Sequence, residues 1–204
     1  MATKELLLAL CLGAGVRGGP SELDYALIVA CADGNAKDVR AFPAQAMFSR
    51  RCCQLLADGA NVNAATDDGE TPLHTAGISG SSEVAAVLVA AGASLDARVT
   101  AKQGLFMTPL TWFVHGKHDA AIRVLVDAGA SVNAIVANEK GDLITALDIA
   151  ILHKSDGVID ILGAANAKRY SEMSLDEVIE NAPPTVRVEL EKLNKKNLED
   201  ARDL

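Results

Sequence analysis

The chain has 204 residues, half of them hydrophobic, yet aromatic residues supply only 3% while alanine supplies 35 of the 204. A core of Ala, Val, Leu and Ile with few rings suits thin helices packed closely. The formal charge of −8 and a sequence pI near 5.0 give no general attraction to phosphate backbones. So few rings also disfavour a base-stacking platform, and no nucleic-acid partner is expected.

No stretch reaches the roughly 20 apolar residues needed to cross a bilayer, so no transmembrane segment is expected. Cys11, Cys31, Cys52 and Cys53 form no C-x-x-C pair, and no histidine lies near them in sequence to complete a zinc site. Buried thiols in a reducing, intracellular and cytoplasmic setting are the expected reading, with neither metal nor cofactor. The vicinal Cys52 and Cys53 could bridge only with backbone strain.

In chain order, residues 1–20 come first. Leu6 to Leu12 is a short apolar run that resembles a secretory core, but Glu5 stands where positive charge belongs. A short cover helix is expected here, with organellar or secretory targeting by residues 1–19 as the alternative. It stops at Gly13, Gly15, Gly18, Gly19 and Pro20.

In the next segment, Tyr25 to Asp33 predicts a helix and Asn35 to Phe42 begins a second. Pro43 interrupts that second helix, and Leu55 resumes its register about 13 residues late. The stretch from Pro43 to Leu56 can itself be helical with Pro43 in the first turn, leaving Met47, Phe48, Arg50 and Arg51 on the outer side. Two arginines make a weak patch, and a solvated turn is preferred.

The rest of the chain repeats. Thr71-Pro72-Leu73-His74-Thr75-Ala76, Thr108-Pro109-Leu110 and Thr145-Ala146-Leu147 recur at intervals of 37, followed in register by Val87-Leu88, Val124-Leu125 and Ile161-Leu162. Each threonine is a helix N-cap, and proline suits the first helical position because no donor is missed there. A break at Asp33-Gly34, Ser79-Gly80 or His115-Gly116 reverses the chain into a second helix. That helix stops at Gly59, Gly92, Gly129 or Asn166, residue types that tolerate the left-handed conformation.

Two antiparallel helices followed by an extended excursion resemble the ankyrin repeat. Asp68-Gly69-Glu70-Thr71-Pro72-Leu73-His74-Thr75-Ala76 is nearly its signature, and Gly-Ala-x-Val-Asn stands at 59–63 and 129–133. The resemblance covers roughly 22–168 and implies an all-α ankyrin-type solenoid of about four units (21–66, 67–103, 104–140, 141–168). A charged helical tail over 169–204 follows it. The resemblance also implies that Thr71 and His74 tie neighbouring units, with Thr111 and Asp148 replacing the histidine later.

A period of 37 exceeds the usual repeat length of about 33, placing four extra residues in each of two fingers, 97–107 and 134–144. Both end apolar, in Leu105-Phe106-Met107 and Leu143-Ile144, placed either to tuck against the helices or to anchor a partner. In the tail, Ser174 to Glu177 reads as a capping box and Pro183-Pro184 as a stop. A longer helix over 185–203 follows, set to dock on the last repeat or a partner, or to stay solvated.

No phosphate-loop, dinucleotide, zinc-protease or nucleophile-elbow motif is present. His115 and His118 straddle a helix end, and Cys52 and Cys53 have no assignable base, so neither catalysis nor a small-molecule substrate is expected. The resemblance instead implies a noncatalytic protein-binding module, an adaptor or scaffold, that uses the concave face and fingers. The alternative is a fixed subunit of a large complex.

By register, the resemblance places the contact residues before each capping threonine and at the end of each first helix. These are Ala32 and Asp33, then Glu70, Ile78 and Ser79, then Met107, His115 and Gly116, and finally Ile144, Leu152 and His153. Leu105, Phe106 and Leu143 join them from the fingers. The stripe reads as apolar in its middle with acidic edges, which favours a basic or apolar partner surface. Asn63 and Asn133 are implied sites of hydroxylation.

Overall fold

A computed structural model describes residues 19–32, 44–100, 105–138 and 140–200. The expected cover helix, Asp33 and the 35–42 segment lie outside these residues. The described helices are α1 (Glu22–Ala32), α2 (Ala44–Ala57), α3 (Pro72–Ser79), α4 (Ser82–Ala90), α5 (Pro109–Gly116), α6 (Asp119–Asp127), α7 (Ala146–Leu152) and α8 (Asp156–Ala164). A 3-10 turn (Tyr170–Glu172), α9 (Leu175–Asn181) and α10 (Pro184–Asp200) follow.

The helices form two parallel rows. α1, α3, α5 and α7 stack side by side as the inner row, and α2, α4, α6 and α8 as the outer row. Equivalent positions carry the contacts from one unit to the next. Leu73, Leu110 and Leu147 are buried in the inner row, and Leu88, Leu125 and Leu162 in the outer. The small core residues Ala76, Ala85, Ala121 and Ala150 let backbones approach closely. The chain is an all-helical repeat solenoid, in which each unit packs on its neighbours.

The capping threonines act as their sequence positions require. Thr108 and Thr145 accept the amides of Thr111 and Asp148, and the residue three further on returns a bond to the cap amide in each inner helix: His74, Thr111 or Asp148. Ser21 and Asp24 make the same reciprocal pair ahead of α1, so that helix begins three residues earlier than the Tyr25 start predicted from sequence. The predicted break at His115-Gly116 also moves. Gly116 ends α5 inside the helix, and the left-handed residue is Lys117 (φ 58°), equivalent to Gly80 (φ 69°) and Lys154 (φ 52°).

A ladder of side-chain acceptors fastens one finger base to the next. Asp24 accepts from the Asn61 amide at 2.6 Å, Asn63 from Ser94 at 2.7 Å, Asp96 from Ser131 at 2.9 Å and Asn133 from Lys168 at 2.8 Å. The connections 91–108 and 128–145 are each four residues longer than 58–71. The last of them folds on itself as an antiparallel pair, β1 (Val136–Ala137) with β2 (Leu143–Ile144), matching Val136 to Ile144. Short strands thus replace what reads in sequence as a loop.

The tail docks on the fingers. Arg98 donates to the carbonyls of Phe106 at 3.2 Å, Ile135 at 2.6 Å and Asn181 at 3.0 Å, while the Ile135 amide donates to Asn181 at 3.1 Å. Val178 and Ala182 are buried, and a Lys168–Glu177 ion pair closes the joint. Among the described residues no helix is long and apolar enough to cross a membrane.

Candidate functional site

The inner row and the fingers enclose a cavity of about 660 Å³, lined by residues of α3, α5 and α7 together with both long fingers. Its walls are Ile78, Leu105, Met107, Trp112, Val136, Ile144, Ile149 and Leu152, with His115, His118, Asn138 and Lys140 as the polar lining. A volume of this order with apolar walls and few polar groups is typical of a recognition pocket.

The cavity exists because equivalent positions differ between repeats. Thr75 sends its hydroxyl to the Ile28 carbonyl of the preceding inner helix at 3.0 Å, and Ser79 does the same to Cys31 at 2.8 Å. One unit later these positions are Trp112 and Gly116, then Ile149 and His153, which make no such stitch and line or border the cavity instead. Trp112 fits against α3 only because Gly77 has no side chain. A Cβ there would lie 2.9 Å from Trp112 Cβ. The His118 ring covers Gly80 and Gly116 in the same way, and meets Phe113 edge-on at 6.4 Å.

The fingers are held at the rim by backbone bonds. Met107 accepts from the Val99 amide at 3.0 Å and from His74 Nε2 at 3.2 Å, and Leu105 accepts from the Ala137 amide at 2.9 Å. His74 Nδ1 accepts from the Thr71 amide, which leaves the proton on Nε2. Burial drives its pKa down to about 4 against the partial support of the Met107 and Ala97 backbone. Asp148 replaces the histidine in the last unit and reaches the tail instead, accepting from the Tyr170 amide at 2.9 Å and pairing with Arg169 at 3.2 Å. Thr111 caps locally.

Of the positions expected to contact a partner, Ile78, Leu105, Met107, His115, Gly116, Ile144 and Leu152 meet around this one cavity. Ile78 is 53% and Leu152 76% exposed. His153 borders the group, its ring edge-on to His115 at 5.0 Å. Leu143 is half-buried in the β-pair. Phe106 is half-buried with φ 49°, the left-handed position that Gly69 fills one unit earlier.

Ser79 departs from expectation, because its side chain turns into the core instead of the concave face. Ala32 and Glu70 do not line the cavity. Glu70 is half-buried, and burial together with Asp68 raises its pKa. No carboxylate is among the cavity's described lining residues, and of the two acidic positions expected at the edges Asp33 lies outside the described residues. Trp112, His118, Ile149, Val136, Asn138 and Lys140 were missed in sequence. The substitution series Thr75, Trp112, Ile149 across the repeats was the signal that pointed to two of them.

Asn63 is exposed, donating to Gly92 at 3.1 Å besides accepting from Ser94, and Asn133 is half-buried. Cys31 and Cys52 are buried with sulfurs 3.5 Å apart, and Cys53 is exposed. Arg50 and Arg51 are exposed.

A family model, Ankyrin repeat, matches residues 68–99, which contain α3, α4 and the start of the first long finger. A search of curated proteins returns no match. Ankyrin repeats are generally protein-interaction modules. The chain therefore carries an ankyrin repeat at residues 68–99, set within a two-row helical repeat stack.

Proposed function

We propose that this chain is a noncatalytic adaptor or scaffold that captures a partner protein in the concave cavity between the inner helices and the two long fingers. The observation that carries this reading is the convergence of Met107, Ile144 and Leu152, from two fingers and one inner helix, on one apolar cavity. Apolar anchors in a pocket with a polar border match the anatomy of recognition surfaces. The exposure of Leu152 is a cost in water that a partner removes, worth about 1.5–3 kcal/mol for a side chain of this size.

Changing Met107→Asp, Ile144→Asp and Leu152→Asp together places three charges in the pocket. The expected result is loss of partner capture from native material with helical circular dichroism unchanged. Unchanged capture by a folded triple variant overturns the reading. Size-exclusion of native extract separates the adaptor from a fixed complex subunit: the adaptor exchanges partners and is also found near 21 kDa, whereas the subunit stays in one large complex. Asn63 and Asn133 are proposed as hydroxylation positions on the family pattern, with intact-mass spectrometry of native protein as the check.

A further inference from the structure

We infer that the concave cavity selects a partner segment in which a bulky apolar side chain is flanked by carboxylates. This rests on the cavity being the partner site and adds the chemistry of what enters it. The chain carries 27 acidic residues against 19 basic ones, so its net charge disfavours an acidic segment. The cavity runs against that balance in its described lining. Its polar lining is His115, His118, Asn138 and Lys140, with no carboxylate among the described lining residues.

Lys140 is exposed at the hairpin. Lys117 extends across the inner-helix ends, its Nζ 3.0 Å from the carbonyl of His153, next to Leu152. Of the described carboxylates that neighbour the lining in sequence, Asp142 accepts from Asn138 Nδ2 at 3.0 Å, and Asp119 lies over Gly157 at the start of α8 while its charge acts on His118; Glu139 lies outside the described residues.

A second observation concerns donors. Trp112 lines the cavity, and its buried Nε1–H has no acceptor among the described residues. An unpaired buried donor favours any ligand that brings an oxygen beside its apolar group. A basic segment brings further donors to a rim that already has an excess of them. An acidic one brings acceptors and charge of the complementary sign, so selection comes from repulsion of the wrong ligand as much as from attraction of the right one.

Trp112 is the only tryptophan in the chain, so its emission reports on the cavity in the full-length protein. The probes are three blocked peptides with the same central leucines, flanked on both sides by glutamate, glutamine or lysine. The glutamate peptide is expected to bind about tenfold more tightly than the lysine peptide at low salt, with glutamine between. The double variant Lys117→Glu and Lys140→Glu is expected to erase the difference, and salt to narrow it. Equal affinity for the three peptides, or preference for lysine, overturns the inference, as does a preference unmoved by the two lysine changes.

Leu152→Asp distinguishes the two levels of failure. If it abolishes binding of peptides that show no charge preference, the site stands and the acidic selectivity falls. If the peptides bind unaffected by Leu152→Asp, or bind neither by emission nor by calorimetry, the cavity is not the site and both readings fall.

Discussion

At the scale of single residues, two positions convert repeat sequence into a site. His74 is fully buried and neutral, bridging its own cap to Met107 in the following finger. Its pKa of about 4 lies below the ordinary 6.5, so between these values the unfolded chain binds a proton that the folded chain refuses. Stability is therefore full above about pH 6.5 and falls as pH drops toward 4, by up to about 3 kcal/mol. Asp24 and Asp148 lose their contribution only lower. Burial raises their pKa, but hydrogen bonds outweigh it and hold each below 3.8. Urea titrations at pH 7 and pH 5 should show the loss, and His74→Thr, the residue type of the next unit, should remove most of the difference between them. Gly77 is the second. Gly77→Ala has to move Trp112 or separate α3 from α5, so a cost of about 1–3 kcal/mol with a shifted tryptophan emission is expected. Unchanged stability and emission would mean that the two helices have slack.

At the scale of elements, the caps and core of each helix pair were legible because they follow from local chemistry. Threonine caps and a leucine two residues after each cap recur at 71, 108 and 145, with proline at the first position in the first two, and the structure uses each as its type demands. Helix ends were legible only to a residue. Lys117 and Lys154 take a left-handed turn that glycine takes in the matched repeat, and no feature of lysine announces it. The hairpin in the second long finger and the docked tail were less legible, since both depend on Arg98, a single cation reaching three carbonyls far apart in sequence. Burial lowers its pKa and Arg187 adds to that, while Asp96 offsets part. Arg98→Met leaves those carbonyls without their donor and should release α9 from the fingers at about 1–3 kcal/mol. Hydrogen exchange should then quicken across 175–192 while α3 to α6 keep their protection. Arg98→Lys should rescue little, because an ammonium cannot span the same fork. Equal exchange in the variant would show that the tail is held without Arg98, by Val178, Ala182, the Ile135–Asn181 bond and the Lys168–Glu177 pair.

For the whole molecule, the ladder Asp24, Asn63, Asp96 and Asn133 runs across the finger bases and keeps successive units in step. The inner row then presents a continuous face, and the two long fingers fold over its later half. This division explains what sequence could and could not reveal about the site. Register placed Ile78, His115 and Leu152 on the concave face because they share one repeat position. It placed Ser79 there too, and could not foresee that a hydroxyl equivalent to Gly116 and His153 would turn inward to stitch α3 to α1. Nor could it foresee a donor-rich border, since which charges reach the rim depends on the path of the finger hairpin. The central claim is that partners enter at this cavity and not along the outer row. Its most direct measurement is site-specific photo-crosslinking in native extract, with benzoylphenylalanine replacing Leu152 in the cavity or Arg123 on the exposed side of α6. The account predicts a partner adduct from position 152 and none from position 123; an adduct from 123 with none from 152 would contradict it.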